Sequence, residues 1–274
     1  MEPHGTHWVD NLDPVAIHLH GDFGIRYYGI AYLLAFVISY LMLRLFYKAG
    51  RSPLDPGKLE SALTALVLGV MIGGRLGYEI LYDWPGLIHN PLVVFKIWEG
   101  GMASHGGFIG VAVALWWISR KYKIPFLTLG DLLCPIVPLG LFLGRLANFI
   151  NGELWGHVSH VAWAVIFPKS APPGTPMALI APRHPSQLYE AFLEGIVLLI
   201  YSQWRFWRTG AIQTPGRLSG EFLVLYALVR ILGEQFREPD ASLILGLSRG
   251  IFYSLFMIFI GVAIVIWSRH RTAR

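Results

Sequence analysis

Gly144-Arg145-Leu146-Ala147-Asn148-Phe149-Ile150-Asn151-Gly152-Glu153-Leu154-Trp155-Gly156 follows directly on the apolar run 132–143. A charged side chain at a bilayer centre costs about 2.5–3.5 kcal/mol on insertion scales, so arginine and glutamate abutting such a run point to a site inside a membrane. If the helix continues through Phe149, Arg145 and Asn148 stand three apart on one face. Gly152 and Gly156 then let the backbone leave the helix beside a ligand. The alternative is a helix end with a snorkelling arginine. Arg145, Asn148, Asn151 and Glu153 fall within nine residues, more polar groups than an anchor needs.

The rest of the chain places that stretch in a membrane. Hydrophobic residues make up 54% and charged residues 14%, with a mean hydropathy of +0.52; soluble domains carry roughly 25% charged residues. Cys134 is the single cysteine, which excludes an intramolecular disulfide. It precedes Pro135 inside an apolar run and reads as a buried, inert thiol rather than a nucleophile. Residues 1–22 are polar and rich in His and Asp, unlike a cleaved signal peptide, so the first span itself directs insertion.

The pattern predicts an all-α integral membrane protein with about seven transmembrane helices, each near the ~20 residues that cross a bilayer. They are placed at 25–47, 59–81, 105–120, 128–150, 186–206, 218–236 and 250–268. Glycines break the start of the third. Residues 1–24 form an N-terminal arm, and 25–274 the transmembrane domain. The Pro- and Gly-rich segment 157–185 is too polar to cross and is expected as a small extracytoplasmic cap. No internal repeat is visible. Gly69, Gly73 and Gly77 recur every four residues, the spacing that lets helices approach closely.

Orientation follows from lysine and arginine. Alternate connections carry Lys48, Arg51 and Lys58; Arg120, Lys121 and Lys123; Arg205, Arg208 and Arg217; and the tail carries Arg269, Arg271 and Arg274. The opposite side begins with Glu2, Asp10, Asp13 and Asp22. The N-terminus is thus expected outside and the C-terminus in the cytoplasm. The pI of 9.3 reflects this inner belt facing anionic lipid headgroups, not nucleic acid.

Several polar residues converge under that topology. Tyr226, Arg230 and Glu234 are spaced by four on one stripe of the sixth span, either as part of a site or as an Arg–Glu pair that locks the bundle. Arg75 and Glu79 repeat the spacing in the second span, with Glu79 structural and Arg75 able to reach a headgroup. Arginines on separate helices, with partial acidic compensation, suit an anionic ligand such as a phosphate. His105 lies between Gly100-Gly101-Met102-Ala103-Ser104 and Gly106-Gly107, where an irregular backbone is tolerated only if it lines a cavity. It is either a satisfied structural histidine or a proton carrier. His184, beside Pro185, reads as a loop-to-helix junction, while Gln187, Tyr189 and Glu190 open the fifth span with groups suited to orienting a headgroup. No metal-ligand cluster or nucleotide loop is present in the sequence, and no cofactor is expected.

The pattern Gly-Arg-x-x-Asn-Phe-Ile-Asn-x-Glu-x-x-Gly at 144–156 resembles the signature of bacterial prolipoprotein diacylglyceryl transferases at every fixed position. Arg26-Tyr27-Tyr28-Gly29, Gly73-Gly74-Arg75, Gly101-Met102-Ala103-Ser104-His105-Gly106-Gly107, Arg183-His184-Pro185-Ser186-Gln187-Leu188-Tyr189-Glu190 and Phe236-Arg237-Glu238-Pro239-Asp240 follow the family's order over nearly the whole chain. The resemblance implies an inner-membrane enzyme that moves the diacylglyceryl group of phosphatidylglycerol to the lipobox cysteine of a prolipoprotein signal peptide, releasing glycerol 1-phosphate. It makes His105 a candidate catalytic residue, and with Arg145 and Arg230 acting on the phosphate and Glu153 as the next candidate base, these four are the expected catalytic residues. Substrate contacts are expected from Tyr28, Arg75, Asn148, Asn151, Gly156, Gln187, Tyr189, Tyr226 and Glu234. The competing class is a transporter or flippase, since membrane arginines also line substrate pathways. A non-catalytic scaffold leaves Arg145, Arg230 and His105 without a purpose.

Overall fold

The computed structural model describes residues 7–20, 23–96, 101–239 and 242–272. The chain divides into two compact units, residues 36–132 and residues 1–35 with 133–274.

The first unit begins within α1 (Tyr27–Lys48) and continues through α2 (Pro56–Tyr82), the short α3 (Trp84–His89), a 3-10 turn (Pro91–Phe95), α4 (Ser104–Tyr122) and α5 (Phe126–Leu133). Asp55 caps α2 by accepting from the Lys58 amide, and Pro56 presets the first turn. The α2–α4 pair is built on glycine. A Cβ on Gly73 or Gly106 would run into the other residue's carbonyl oxygen, and one on Gly110 into that of Gly69. The glycine stripe read in the second span therefore has its partner in Gly106 and Gly110. Residues 104–107 are regular helix, not the irregular backbone expected there. Their glycines serve close packing.

Among the described residues the second unit holds four short strands beside its helices, so the chain is mostly helical and not all-α. Strand β1 (Trp8–Val9) pairs in parallel with β4 (Val165–Ile166), while β2 (Val15–His20) and β3 (Phe23–Arg26) form an antiparallel hairpin. Alternating Val15, Ile17 and Ile25 suit extended backbone, and Asp13 accepts from the Val15 amide at the hairpin's start. Of the expected arm, residues 1–6, 21 and 22 lie outside the described residues. Segment 157–185 contains β4 and two short 3-10 turns, and bridges of Arg183 to Val158 and Val165 fold it onto itself. Its Ile166 and Phe167 are fully buried.

The unit's helices are α6 (Val137–Ile150), α7 (Ser186–Glu190) continuing through a π-helical turn (Ala191–Val197) into α8 (Leu198–Arg208), α9 (Arg217–Glu234) and α10 (Arg249–Thr272). Gly220 and Gly261 let α9 and α10 cross backbone to backbone. Cys134 is buried, with its thiol 3.9 Å from the Ser219 hydroxyl.

Helix lies at every expected span. Three helices among the described residues are long and apolar enough to cross a membrane: α1, residues 56–80 of α2, and residues 249–270 of α10. A fourth arises if α5 and α6 together make one broken span. Among the other helices, α9 carries Arg217, Glu221, Arg230 and Glu234, and α7 and α8 are short.

Candidate active site

The last turns of α6 bring Arg145 and Asn148 onto one face, and the helix ends at Ile150. Gly152 has φ +59°, a conformation that favours glycine, and Leu154 repeats it at the same angle. A leucine held there signals a loop fixed from outside. The fixing groups are on α7: the Ser186 hydroxyl donates to the Leu154 carbonyl at 3.0 Å, and the Gln187 amide donates to the Glu153 carbonyl at 2.6 Å. The Glu153 carboxylate accepts from the Tyr28 phenol and, at 2.9 Å, from the Asn148 amide. Asn148 also contacts the Tyr28 oxygen. Tyr28, Asn148 and Glu153 thus form one group.

The arginines form a second. Arg145 donates through Nε and Nη2 to Glu194 at 3.1 and 2.9 Å, and its Nη1 is 2.9 Å from Glu190. Arg230 pairs with Glu190, approaches Glu194 at 3.3 Å, and reaches Glu234 through Nη2 at 2.6 Å. Arg237 lies 3.3 Å from Glu190. Glu190 and Glu194 are completely buried. Partial compensation was expected; in the structure Arg145, Arg230 and Arg237 face Glu190, Glu194 and Glu234, so the charges balance. Burying such a network costs several kcal/mol per ion before pairing repays it. An apolar core would hold the bundle at lower cost. The π-helical turn that widens the helix after Glu190 is the kind of distortion that recurs at functional sites.

The remaining predicted residues take definite places. Tyr226 stands one turn before Arg230 on α9 and stacks on Phe222 at 6.2 Å. Gly156 makes a backbone bridge with Arg237, and a Cβ there would collide with the Phe236 carbonyl. The Asn151 carbonyl accepts from Lys169 at 2.5 Å, while its side-chain Oδ1 is buried without a donor among the described residues. Gln187 is fully buried, and its Oε1 likewise has no donor among them. Tyr189 turns toward the cap segment, accepting from Trp163 at 2.7 Å and lying 3.1 Å from His184 Nδ1. His184, Tyr189 and Phe236 make mutual edge-to-face ring contacts at 5.4–5.8 Å. Burial, with His157 adding to it, holds the His184 pKa below its ordinary value.

Arg75 and His105 belong to the first unit. Arg75, expected to reach a headgroup, is only 3% exposed. It donates through Nε and Nη2 to the Val93 carbonyl at 3.3 and 2.9 Å, through Nη1 to the Gly101 carbonyl at 3.3 Å, and pairs with Glu79 at 2.9 Å. Those bonds fasten the segment leading into α4, as does the Ala103 amide on the Gly74 carbonyl at 2.9 Å. His105 opens α4, and its side chain lies outside what is described.

Sequence reasoning passed over Glu194 and Arg237, and read Glu190 as a headgroup contact only. The signal was present: two carboxylates four residues apart in an apolar span cannot face lipid and need cations opposite.

A family model described as prolipoprotein diacylglyceryl transferase matches residues 14–267. Among similar proteins, the phosphatidylglycerol–prolipoprotein diacylglyceryl transferase of Bradyrhizobium diazoefficiens is 41% identical over 95% of this chain and 93% of its own. The protein of that name from Rhodopseudomonas palustris is 42% identical, covering 96% and 92%. That from Nitrobacter hamburgensis is 43% identical, covering 94% and 89%.

Proposed function

The chain belongs to the prolipoprotein diacylglyceryl transferase family, and from that premise we propose that it moves the diacylglyceryl group of phosphatidylglycerol onto the lipobox cysteine thiol of a prolipoprotein. It is a membrane transferase of lipoprotein maturation. The observation that carries the residue-level reading is the buried centre, where Arg145 and Arg230 are braced by Glu190, Glu194 and Glu234, and where Arg145 sits on the helix that also bears Asn148 and leads to Glu153.

A free thiol has a pKa near 8.5, so a base must take its proton before attack. The thiolate attacks the glycerol carbon that bears the phosphate. The carbon–oxygen bond breaks, a thioether forms, and glycerol 1-phosphate leaves with the charge. Arg145 and Arg230 stabilise that charge as it develops, and their fixed planes mean little reorganisation is needed at that moment. The glutamates set those planes and keep the arginines compensated until a phosphate competes for their donors. His105 is the proposed base, with Glu153 next in line, oriented by Tyr28 and Asn148. Buried acceptors on Asn151 and Gln187 suit the hydroxyl groups of a glycerol headgroup. Tyr226 and Tyr189 border the donor, Glu234 steers Arg230, Gly156 keeps the backbone close, and Arg75 supports the approach to His105.

Seven spans, an outside N-terminus, a cytoplasmic C-terminus and a site toward the periplasmic side of the inner membrane complete the reading. The alternating basic connections support it. Purified protein mixed with phosphatidylglycerol and a lipobox peptide should yield the thioether adduct by mass spectrometry. Movement of labelled lipid between leaflets with no adduct would transfer the case to a flippase.

A further inference from the structure

The far end of α9 carries a second cluster of charge that the proposed reaction does not use. Arg217 opens the helix and Arg230 stands thirteen residues later, which puts the two clusters roughly 20 Å apart along the axis. A shallow, open depression of about 300 Å³ there is lined by Arg205, Gly210, Ala211, Thr214, Arg217 and Arg269. Glu221 serves two of the arginines at once. It accepts from Arg205 Nε and Nη2 at 2.7 and 2.6 Å, and also pairs with Arg217. The Tyr201 phenol holds the same carboxylate at 3.0 Å. Arg269 adds a third guanidinium with no acidic partner among the described residues. Three cations thus stand against one anion, and two of them are fixed in orientation before any ligand arrives. The first-turn amides of α9 open toward the same end and add positive potential.

We propose that this depression binds a phosphate ester, held by Arg205, Arg217 and Arg269, and that its source is an anionic membrane lipid. Guanidinium forks match phosphate oxygens in pairs, which lysines would not. The surroundings mark headgroup depth. Trp204, beside Arg205, and Trp267, just before Arg269, are exposed, as indoles at a membrane interface are. Below Arg269 the α10 surface exposes Val262 and Ile266, an apolar track for an acyl chain. The site is distinct from the Arg145 centre and calls for no chemistry.

The test uses the full chain in phosphatidylcholine nanodiscs containing a trace of phosphatidic acid with a photoreactive group near its phosphate. Adducts are mapped to peptides by mass spectrometry. Labelling is expected on residues 201–217 and 262–270, competed by unlabelled phosphatidic acid and not by extra phosphatidylcholine. Arg269→Gln, which breaks no ion pair among the described residues, should lower that labelling about fivefold, and Arg217→Gln with Arg269→Gln at least tenfold, at about one charge contact each. Adducts elsewhere and thioether formation should stay unchanged. Displacement by millimolar inorganic phosphate but not by phosphatidic acid would assign the depression to free phosphate and overturn the lipid as occupant. Undiminished labelling in both variants, equal competition by phosphatidylcholine, or no adducts on these peptides would remove the site altogether.

Discussion

Arg230 shows why a particular cation stands at the centre. Its Nη1 serves Glu190 and Glu194 while its Nη2 serves Glu234, a division that one ammonium group cannot reproduce. Arg230→Lys should therefore slow thioether formation by about 10²–10³-fold, the usual loss when a fixed charge-stabilising donor is removed. Arg230→Ala should be worse while the protein still inserts. Near-normal transfer by the alanine variant would make the residue structural. His105→Ala should slow transfer by about 10²–10⁴-fold and leave lipid binding intact. The rate should recover partly as pH passes the ordinary thiol value near 8.5, where the peptide ionises unaided. An unchanged rate, or loss of lipid binding, would pass the base role to Glu153. His184 supplies a pH dependence of stability. Its pKa in the fold is held below the ordinary 6.5, so below that pH the unfolded chain binds more protons than the folded one. Its contribution is complete above 6.5 and falls as the medium is acidified. Melting temperature measured from pH 7.5 down to 5.5 should decline, less steeply in His184→Gln.

At the level of elements, the α2–α4 contact depends on missing side chains. A Cβ on Gly106 meets the Gly73 carbonyl, whereas one on Gly107 finds nothing nearer than 3.9 Å. Gly106→Ala should force the helices apart and cost about 1–3 kcal/mol as overpacking does, lowering the melting temperature in detergent by several degrees. Gly107→Ala should leave it unchanged. Equal shifts in the two variants would mean the helices do not meet as described. The same contact explains a misreading. Glycines around His105 read as a broken backbone, because the sequence of α4 alone does not reveal that a second glycine helix lies against it. Glu190 and Glu194 teach the converse. Their spacing was visible, yet the three arginines that neutralise them come from α6, α9 and the turn after α9, and no local pattern announces that meeting.

For the whole molecule the testable quantity is orientation. A single reactive cysteine introduced into segment 157–185 should be labelled by a membrane-impermeant reagent from the periplasmic side. Labelling from the cytoplasm alone would overturn the orientation and the placement of the site with it. Basic residues at alternate connections carry this expectation, since they resist translocation whatever the fold between them.

The sequence by itself determined that this is a membrane protein of the diacylglyceryl transferase family and where its helices lie, and it singled out 144–156 as the stretch on which the proposed chemistry rests. Those are properties of composition, apolar run length and motif order, each readable from near neighbours along the chain. Tertiary structure alone decided the partners. It made Arg75 an internal clasp, turned Gln187 onto the Glu153 carbonyl, and set Arg145 and Arg230 against shared carboxylates. Which charge answers which inside a low-dielectric bundle depends on distances of a few ångströms between segments far apart in the chain, and those distances exist only once the helices have packed.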